Sequence, residues 1–283
     1  MNEPSKIDYL LEEIVTLPSL PSTVTRLTRL INEPDCPLSE VSKAISVDPA
    51  LSLKTLRLVN SAFYGVKNKV TSIEQAVTLL GLKVIKNLVF TASVFETLNS
   101  GTGLFLMHSV ACGAAMRLLV EAVPMGVPVE PDDAFAFGLL HDVGKIIFEE
   151  FLPKEMDQAR RLAQEQGLPS FEAEGAVIGA DHAEMGARLA QSWKLSDEVV
   201  DAIAGHHQLE RCGAPELRKA AALLSIADFQ CIACGLAPPP RRGARVDEEM
   251  WAAAGITSVQ IAPIVDRFMD QLPDVFELAK LAS

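Results

Sequence analysis

Residues 179–208 read GADHAEMGARLAQSWKLSDEVVDAIAGHHQ, and their spacing decides the fold class. Asp181 stands before the run with Glu184 three residues on, the pattern of a helix N-cap with its capping box. Met185, Leu189 and Trp193 then recur every four residues, while Val199, Val200 and Ile203 suit a second buried stripe. Two helices therefore follow one another closely, and the second ends in His206 and His207. The same signature extends outward. Asp48 before Pro49 offers an N-cap carboxylate and a proline at the first helical position, after which Leu53, Leu56 and Val59 share a face. Asn60, Ser61 and Gly65 close that helix. Ser72 with Gln75 fits another capping box, opening a helix with Ala76, Leu79 and Leu80 that Gly81 interrupts. Alternating strand patterns are scarce and no internal repeat recurs at fixed period, so the expectation is an all-α protein rather than a helical solenoid.

The chain has 283 residues, of which 49% are hydrophobic, enough for one large core or two moderate ones and too many for general disorder. Its formal charge of −12 is unevenly placed: residues 1–100 balance ten basic against ten acidic side chains, whereas residues 101–283 hold fifteen and twenty-seven. Between them Leu98 to Gly103 forms a small polar run that favours a loop. A domain boundary is expected there, dividing the chain into 1–100 and 101–283. A second break spans Gly235 to Arg245, with Pro238, Pro239, Pro240 and Gly243. The acidic balance disfavours nucleic acid as a partner, and although residues 1–100 are neutral nothing in them positively supports such binding. Arg241, Arg242 and Arg245 read as part of a solvated loop. Five cysteines form a sparse, odd set for a disulfide framework, and the opening MNEPSKIDYLLEEI lacks a secretory pattern, so the expected location is the cytoplasm. The longest apolar stretches are short of roughly 18 residues or carry charge, and no membrane span is expected.

All five histidines, His108, His141, His182, His206 and His207, lie in the second part, each flanked by apolar helix. His141 is followed directly by Asp142, ending the run AFAFGLLHDVGK (134–145), and Asp228 sits among Leu224, Ile226, Ala227 and Phe229. Burying such carboxylates without a partner costs several kcal/mol, on the order of the penalty for any unpaired buried charge. A cation removes that cost, and imidazole with carboxylate is a donor set for zinc, iron, manganese or nickel.

The order His108, His141 with Asp142, His182, His206 with His207, and Asp228 resembles the HD superfamily of metal-dependent phosphohydrolases. More closely the chain resembles the HDOD domain, the HD-related output domain of bacterial signalling proteins. LPSLPSTVTRLTRLI (17–31), SVDPALSLKTLRLVNSAFYG (46–65) and SIEQAVTLLGLKVIKNLV (72–89) are similar to that family's opening helices, and GLLHDVGK (138–145) with 179–208 continues the likeness, which covers roughly residues 10–235. The resemblance implies two helical subdomains, a smaller N-terminal bundle over 1–100 and a C-terminal HD-type bundle over 101–283, and a dinuclear divalent metal site: His108, His141, Asp142 and Asp228 holding one ion, with Asp142 bridging to a second held by His182, His206 and His207. Lys145 would stand where a superfamily lysine contacts phosphate, so Lys145 and Asp142 are the candidates for catalysis if the protein is an enzyme.

Departures weigh against catalysis. The double histidine continues QLERCGAP (208–215), without the Gly-Tyr-Pro signature of HD-GYP cyclic di-GMP phosphodiesterases, and Leu104 stands where those enzymes place a glutamate. Beyond the metal set only Lys145 and Arg211 offer cationic clamps. The expectation is therefore a regulatory module of signal transduction with a signalling protein partner, the N-terminal bundle being the interaction half. The alternative is a phosphohydrolase or phosphodiesterase taking a nucleotide or cyclic dinucleotide at the same site. No receiver, GGDEF or DNA-reading module is recognisable, so input is expected from a partner, a ligand or expression level. Cys231 and Cys234, and Cys112 one turn after His108, read as core thiols.

Overall fold

The structure is a computed structural model that describes residues 26–27, 29–30, 37–97, 103–123, 126–127, 129–238 and 245–282. The expected domain boundary at 98–102, most of the stretch 17–31, and Arg241 and Arg242 lie outside them. Among the described residues the secondary structure is helical throughout, without a strand.

Three helices come first: α1 (Leu38–Ser46), α2 (Pro49–Val59) and α3 (Ile73–Thr97). The local signals act as their chemistry requires. Asp48 caps α2 by accepting the Leu51 N–H at 3.0 Å. Ser72 Oγ accepts the Gln75 N–H at 3.2 Å, while the Gln75 amide reaches back to the Thr71 N–H at 3.1 Å, so two orphan donors at the head of α3 are satisfied reciprocally. Gly81, at φ 80° and ψ 166°, breaks the helical path within α3 as its place in the sequence predicts. The expected stripe on α2 is corrected: Leu53 is exposed and Leu56 half-buried, while Leu51, Thr55, Leu58 and Val59 point inward. The inner face follows the mixed three- and four-residue steps of a helix, which a regular three-residue reading rotates away from.

The remaining helices are α4 (Gly103–Ala122), α5 (Pro131–Leu140), α6 (Val143–Phe151), α7 (Pro153–Gln166), α8 (Ser170–Ile178), α9 (His182–Ser192), α10 (Asp197–Gly205), α11 (Arg218–Ala233), α12 (Glu248–Ala254) and α13 (Ser258–Ala282). The α4 helix is the axle. It is 20 residues long and apolar enough to cross a membrane by length and composition alone, although it carries Arg117 and Glu121. Here α5, α11 and α13 cover it, and nearly all its residues from Phe105 to Val120 are buried. Two glycines permit the closest approach. A Cβ on Gly138 of α5 would stand 2.4 Å from the Cys112 backbone, and one on Gly113 of α4 2.8 Å from the Phe135 carbonyl. The α5 helix also reaches the first helices, through a Lys83–Asp133 ion pair at 2.9 Å, a hydrogen bond from Asn87 to the Asp132 carbonyl and a Phe63–Phe135 ring contact. The long α13 lies against α4, α2 and the short turn Ala62–Tyr64.

Candidate metal centre

Each candidate ligand sits at a point set by its helix. His108 lies on the buried face of α4. His141 is the C-cap of α5 and Asp142 the residue before α6, so the His-Asp pair forms the junction of two helices. His182 is the first residue of α9, whose N-cap Asp181 accepts the Glu184 N–H at 3.0 Å as predicted. His206 caps the end of α10 with His207 beside it, and Asp228 projects from α11. All seven converge. His108, His141, Asp142, His182 and His206 are at most 2% exposed and Asp228 only 7%, which makes this the most polar buried volume in the described residues.

Asp142 stands between two sets. Its Oδ1 lies 3.2 Å from His182 Nε2 and 3.5 Å from His141 Nε2, and its Oδ2 lies 3.5 Å from His108 Nε2. On one side Asp228 Oδ1 approaches His108 Nε2 at 3.1 Å and His141 Nε2 at 3.7 Å. On the other, His182 Nε2 and His207 Nε2 are 2.9 Å apart, with the His206 ring 3.9 Å from that of His207. Two groups, His108/His141/Asp142 and His182/His206/His207, have the mutual closeness of sets that could hold a metal ion.

Backbone and carboxylate acceptors fix the ring tautomers. His141 Nδ1 donates to the Gly138 carbonyl at 2.7 Å, His206 Nδ1 to the Ile203 carbonyl at 2.6 Å, and His182 Nδ1 to Glu174 Oε2 at 2.6 Å. A carbonyl oxygen can only accept, so His141 and His206 each carry a hydrogen on Nδ1, and all three rings turn Nε2 inward. His141 Nε2, His206 Nε2, Asp142 Oδ1 and Asp228 Oδ1 are buried without a well-aligned hydrogen bond, the two carboxylate oxygens having only inward-facing imidazoles at ion-pair distance. Leaving several such atoms unsatisfied is costly, and their shared direction fits a cation donor set.

The electrostatics divide the histidines. Burial opposes charge on His108 and His141, yet Asp142 and Asp228 outweigh it and raise both to about 10. Burial alone pushes His206 down, and His141 and His182 push it further, to about 3; His207 is lowered in the same way by burial, His206 and His182. Both Asp142 and Asp228 are held well below the usual carboxylate range, because the adjoining imidazoles, joined at Asp142 by the Lys145 ammonium, overcome their burial.

The flanking residues complete the picture. Lys145 Nζ donates to Asp142 Oδ2 at 2.8 Å, and Arg211 Nη1 to Asp181 Oδ2 at 2.6 Å. Leu104 is exposed at the start of α4. Cys112 is a buried thiol beside His141 and Cys231, and burial holds it protonated; Cys234 is half-buried near Met269. Arg245 pairs with Glu172 at 3.4 Å. Glu174 is the residue that motif spacing misses. It is 2% exposed on α8, eight positions before His182, and its one signal is a glutamate set between Ala173 and the apolar run that closes the helix. Phe171, also unforeseen, stacks on His207 at 4.5 Å with planes 12° apart.

Comparison with known proteins agrees with this architecture. The chain is 24% identical to an HDOD domain protein of unknown function from Geobacter sulfurreducens, with a TM-score of 0.81 over 98% of this chain and 97% of that one. It is 26% identical to a Shewanella amazonensis SB2B protein provisionally named a phosphohydrolase, with a TM-score of 0.77 over 97% and 98%. An uncharacterised protein of Treponema pallidum (strain Nichols) is 29% identical over 218 residues, which are 72% of this chain; the chain spans about 40% of that relative's length. The HDOD domain profile matches residues 17–209. With more than half its length matched and the same helical fold, the chain belongs to the HDOD domain family.

Proposed function

We propose that this chain is a regulatory module of bacterial signal transduction that works in the cytoplasm through a signalling protein partner and holds divalent metal at two positions sharing Asp142. The observation that carries the metal reading is the set of buried, unpartnered Nε2 and carboxylate atoms turned toward one another. His108, His141, Asp142 and Asp228 would hold one ion, and His182, His206 and His207 the other. The donors suit iron, manganese, zinc or nickel. When bound, such ions supply Lewis-acid polarisation and charge neutralisation. The protein's part is to pre-set the rings: Gly138 O, Ile203 O and Glu174 hold three Nδ1 atoms outward and so aim the three Nε2 atoms at the centre.

Regulation is favoured over hydrolysis by the two nearby cations. Lys145 and Arg211 are committed to Asp142 and Asp181, which leaves neither as a free clamp for a phosphodiester. In this reading residues 1–100 form the interaction half and residues 101–283 the metal half, and the contacts of α5 with α3 join them. Elemental analysis of untagged protein, before and after reconstitution with Mn²⁺ or Fe²⁺, should give a metal-to-protein ratio well above zero. A ratio near zero after reconstitution rejects the metal reading. Reconstituted protein should leave cyclic dinucleotides and nucleotide monophosphates intact.

The second reading is a metal-dependent phosphohydrolase taking a nucleotide-type ligand at this site, with Asp142 and Lys145 as its working groups. It is favoured by the donor set and by the name of the Shewanella relative. Turnover that disappears in Asp142→Ala would establish it.

A further inference from the structure

We infer that Glu174 is the positioning residue of the His182/His206/His207 set, and that with Phe171 it clamps the α7–α8 hairpin onto that set. The inference rests on the metal reading above. Glu174 Oε2 accepts two hydrogen bonds from one residue, the His182 backbone N–H at 2.9 Å and its Nδ1–H at 2.6 Å. The first satisfies an orphan donor at the head of α9, where the positive end of the helix also favours a carboxylate. The second fixes the ring and places negative charge behind it, which raises its strength as a ligand. That charge matters most on this side, where the three unshared donors are all imidazoles, whereas the other side has Asp228 beside the shared Asp142.

One turn before Glu174, Phe171 lies flat against His207. A single helix thus backs two of the three rings while contributing no donor itself. That helix packs mainly against α7. Ala159, Ala163 and Ala173, with Leu162 and Val177, form a small apolar cluster of their own between α7 and α8. Met156 and Ile178 tie the ends of the hairpin to the main core, Arg160 and Glu172 pair with Glu149 and Arg245 at its outer side, and toward the centre it bears through Glu174 and Phe171. Ordering the imidazoles by a metal then orders the hairpin that leans on them, and loosening the hairpin loosens the second position. Metal occupancy is in this way presented on an outer surface, the charged face of α7.

The test uses the full chain titrated with Co²⁺, reading stoichiometry, the visible spectrum of the bound ion, and hydrogen exchange of residues 153–178. In the wild type, exchange across 153–178 should slow when the second equivalent binds. Glu174→Ala should weaken the second equivalent by about 10–100-fold and abolish that protection while the first equivalent is retained. Glu174→Gln, whose amide oxygen still accepts the Nδ1–H, should recover the wild-type spectrum with an intermediate affinity. A Glu174→Ala protein that binds both equivalents with wild-type affinity and spectrum overturns the inference, as does a Glu174→Gln protein that loses both together. Wild-type protein that takes up no Co²⁺ overturns the metal reading itself, a separate result. Nitrogen-15 spectra of the metal-free chain give an independent check, since His182 should be protonated at Nδ1 in the wild type and in Glu174→Gln but a tautomer mixture in Glu174→Ala.

Discussion

Gly144→Ala is the sharpest test of how the helices hold the centre. Gly144 is the second residue of α6, and a Cβ there would stand 2.1 Å from the His182 carbonyl oxygen and 2.9 Å from Gly186 N. Both are backbone atoms of α9, so no side chain can swing aside. Restoring an ordinary contact of 3.4 Å to the carbonyl requires α6 and α9 to part by roughly 1.3 Å. The same two helices carry Asp142 and His182, whose facing atoms are 3.2 Å apart. A metal site tolerates errors of about 0.2 Å in its ligand distances, so a shift several times larger should remove the shared position. Overpacking of this kind costs about 1–3 kcal/mol, and for a chain of this size that lowers the melting temperature by about 2–12 °C. Calorimetry and metal analysis on the purified variant check both effects. The control is Gly175→Ala, since a Cβ there meets nothing within 4 Å and alanine is the better helix former by about 1 kcal/mol. Gly144→Ala with wild-type melting temperature and metal content would refute the reasoning.

Metal-free protein should be most stable near pH 6.5. Below that the unfolded chain holds a His206 proton that the folded chain, with its value near 3, refuses, so stability rises with pH from about 3 to 6.5. Above it the folded chain keeps protons on His108 and His141 up to about 10 that the unfolded chain has released, so stability falls from about 6.5 to 10. Metal-loaded protein should lose the alkaline decline, and melting curves with and without chelator across pH 5–9.5, spanning part of both limbs, compare the two. Asp142→Asn should abolish binding at both positions because both sets draw on the same carboxylate, measured as metal content near zero after reconstitution. Asp48→Ala should cost about 1 kcal/mol through loss of the α2 cap, visible in urea unfolding, with metal content unchanged.

Local chemistry was the legible part of this sequence. Asp48, Ser72 with Gln75, Asp181 and Gly81 each act within four residues of themselves, so their roles follow from spacing alone. The convergence of His108, His141, His182, His206, His207 and Asp228 was legible for a different reason: a buried ionisable group in an apolar helix is conspicuous. What escaped was non-local. Glu174 looks like any helical glutamate until α8 turns it against a residue on the next helix. Leu53 and Leu58 are equivalent by type, and only the packing of α2 on α3 and α13 decides which is buried. Likewise α4 reads as a membrane candidate or a core helix according to partners as distant as α13, which begins 136 positions after α4 ends.

That last separation has a consequence during synthesis. The α4 helix is complete when residue 122 has been made, but α13, which covers one side of it, starts only at residue 258. At translation speeds of about 5–20 residues per second, that flank waits on the order of 10 s for its cover. During that interval a 20-residue apolar helix is offered to chaperones and to the membrane-insertion machinery alike. The nascent chain is therefore a client whose fate is decided by timing: variants that slow α13, or delay its docking, should divert newly made protein to chaperone complexes or to degradation while leaving the finished fold unchanged.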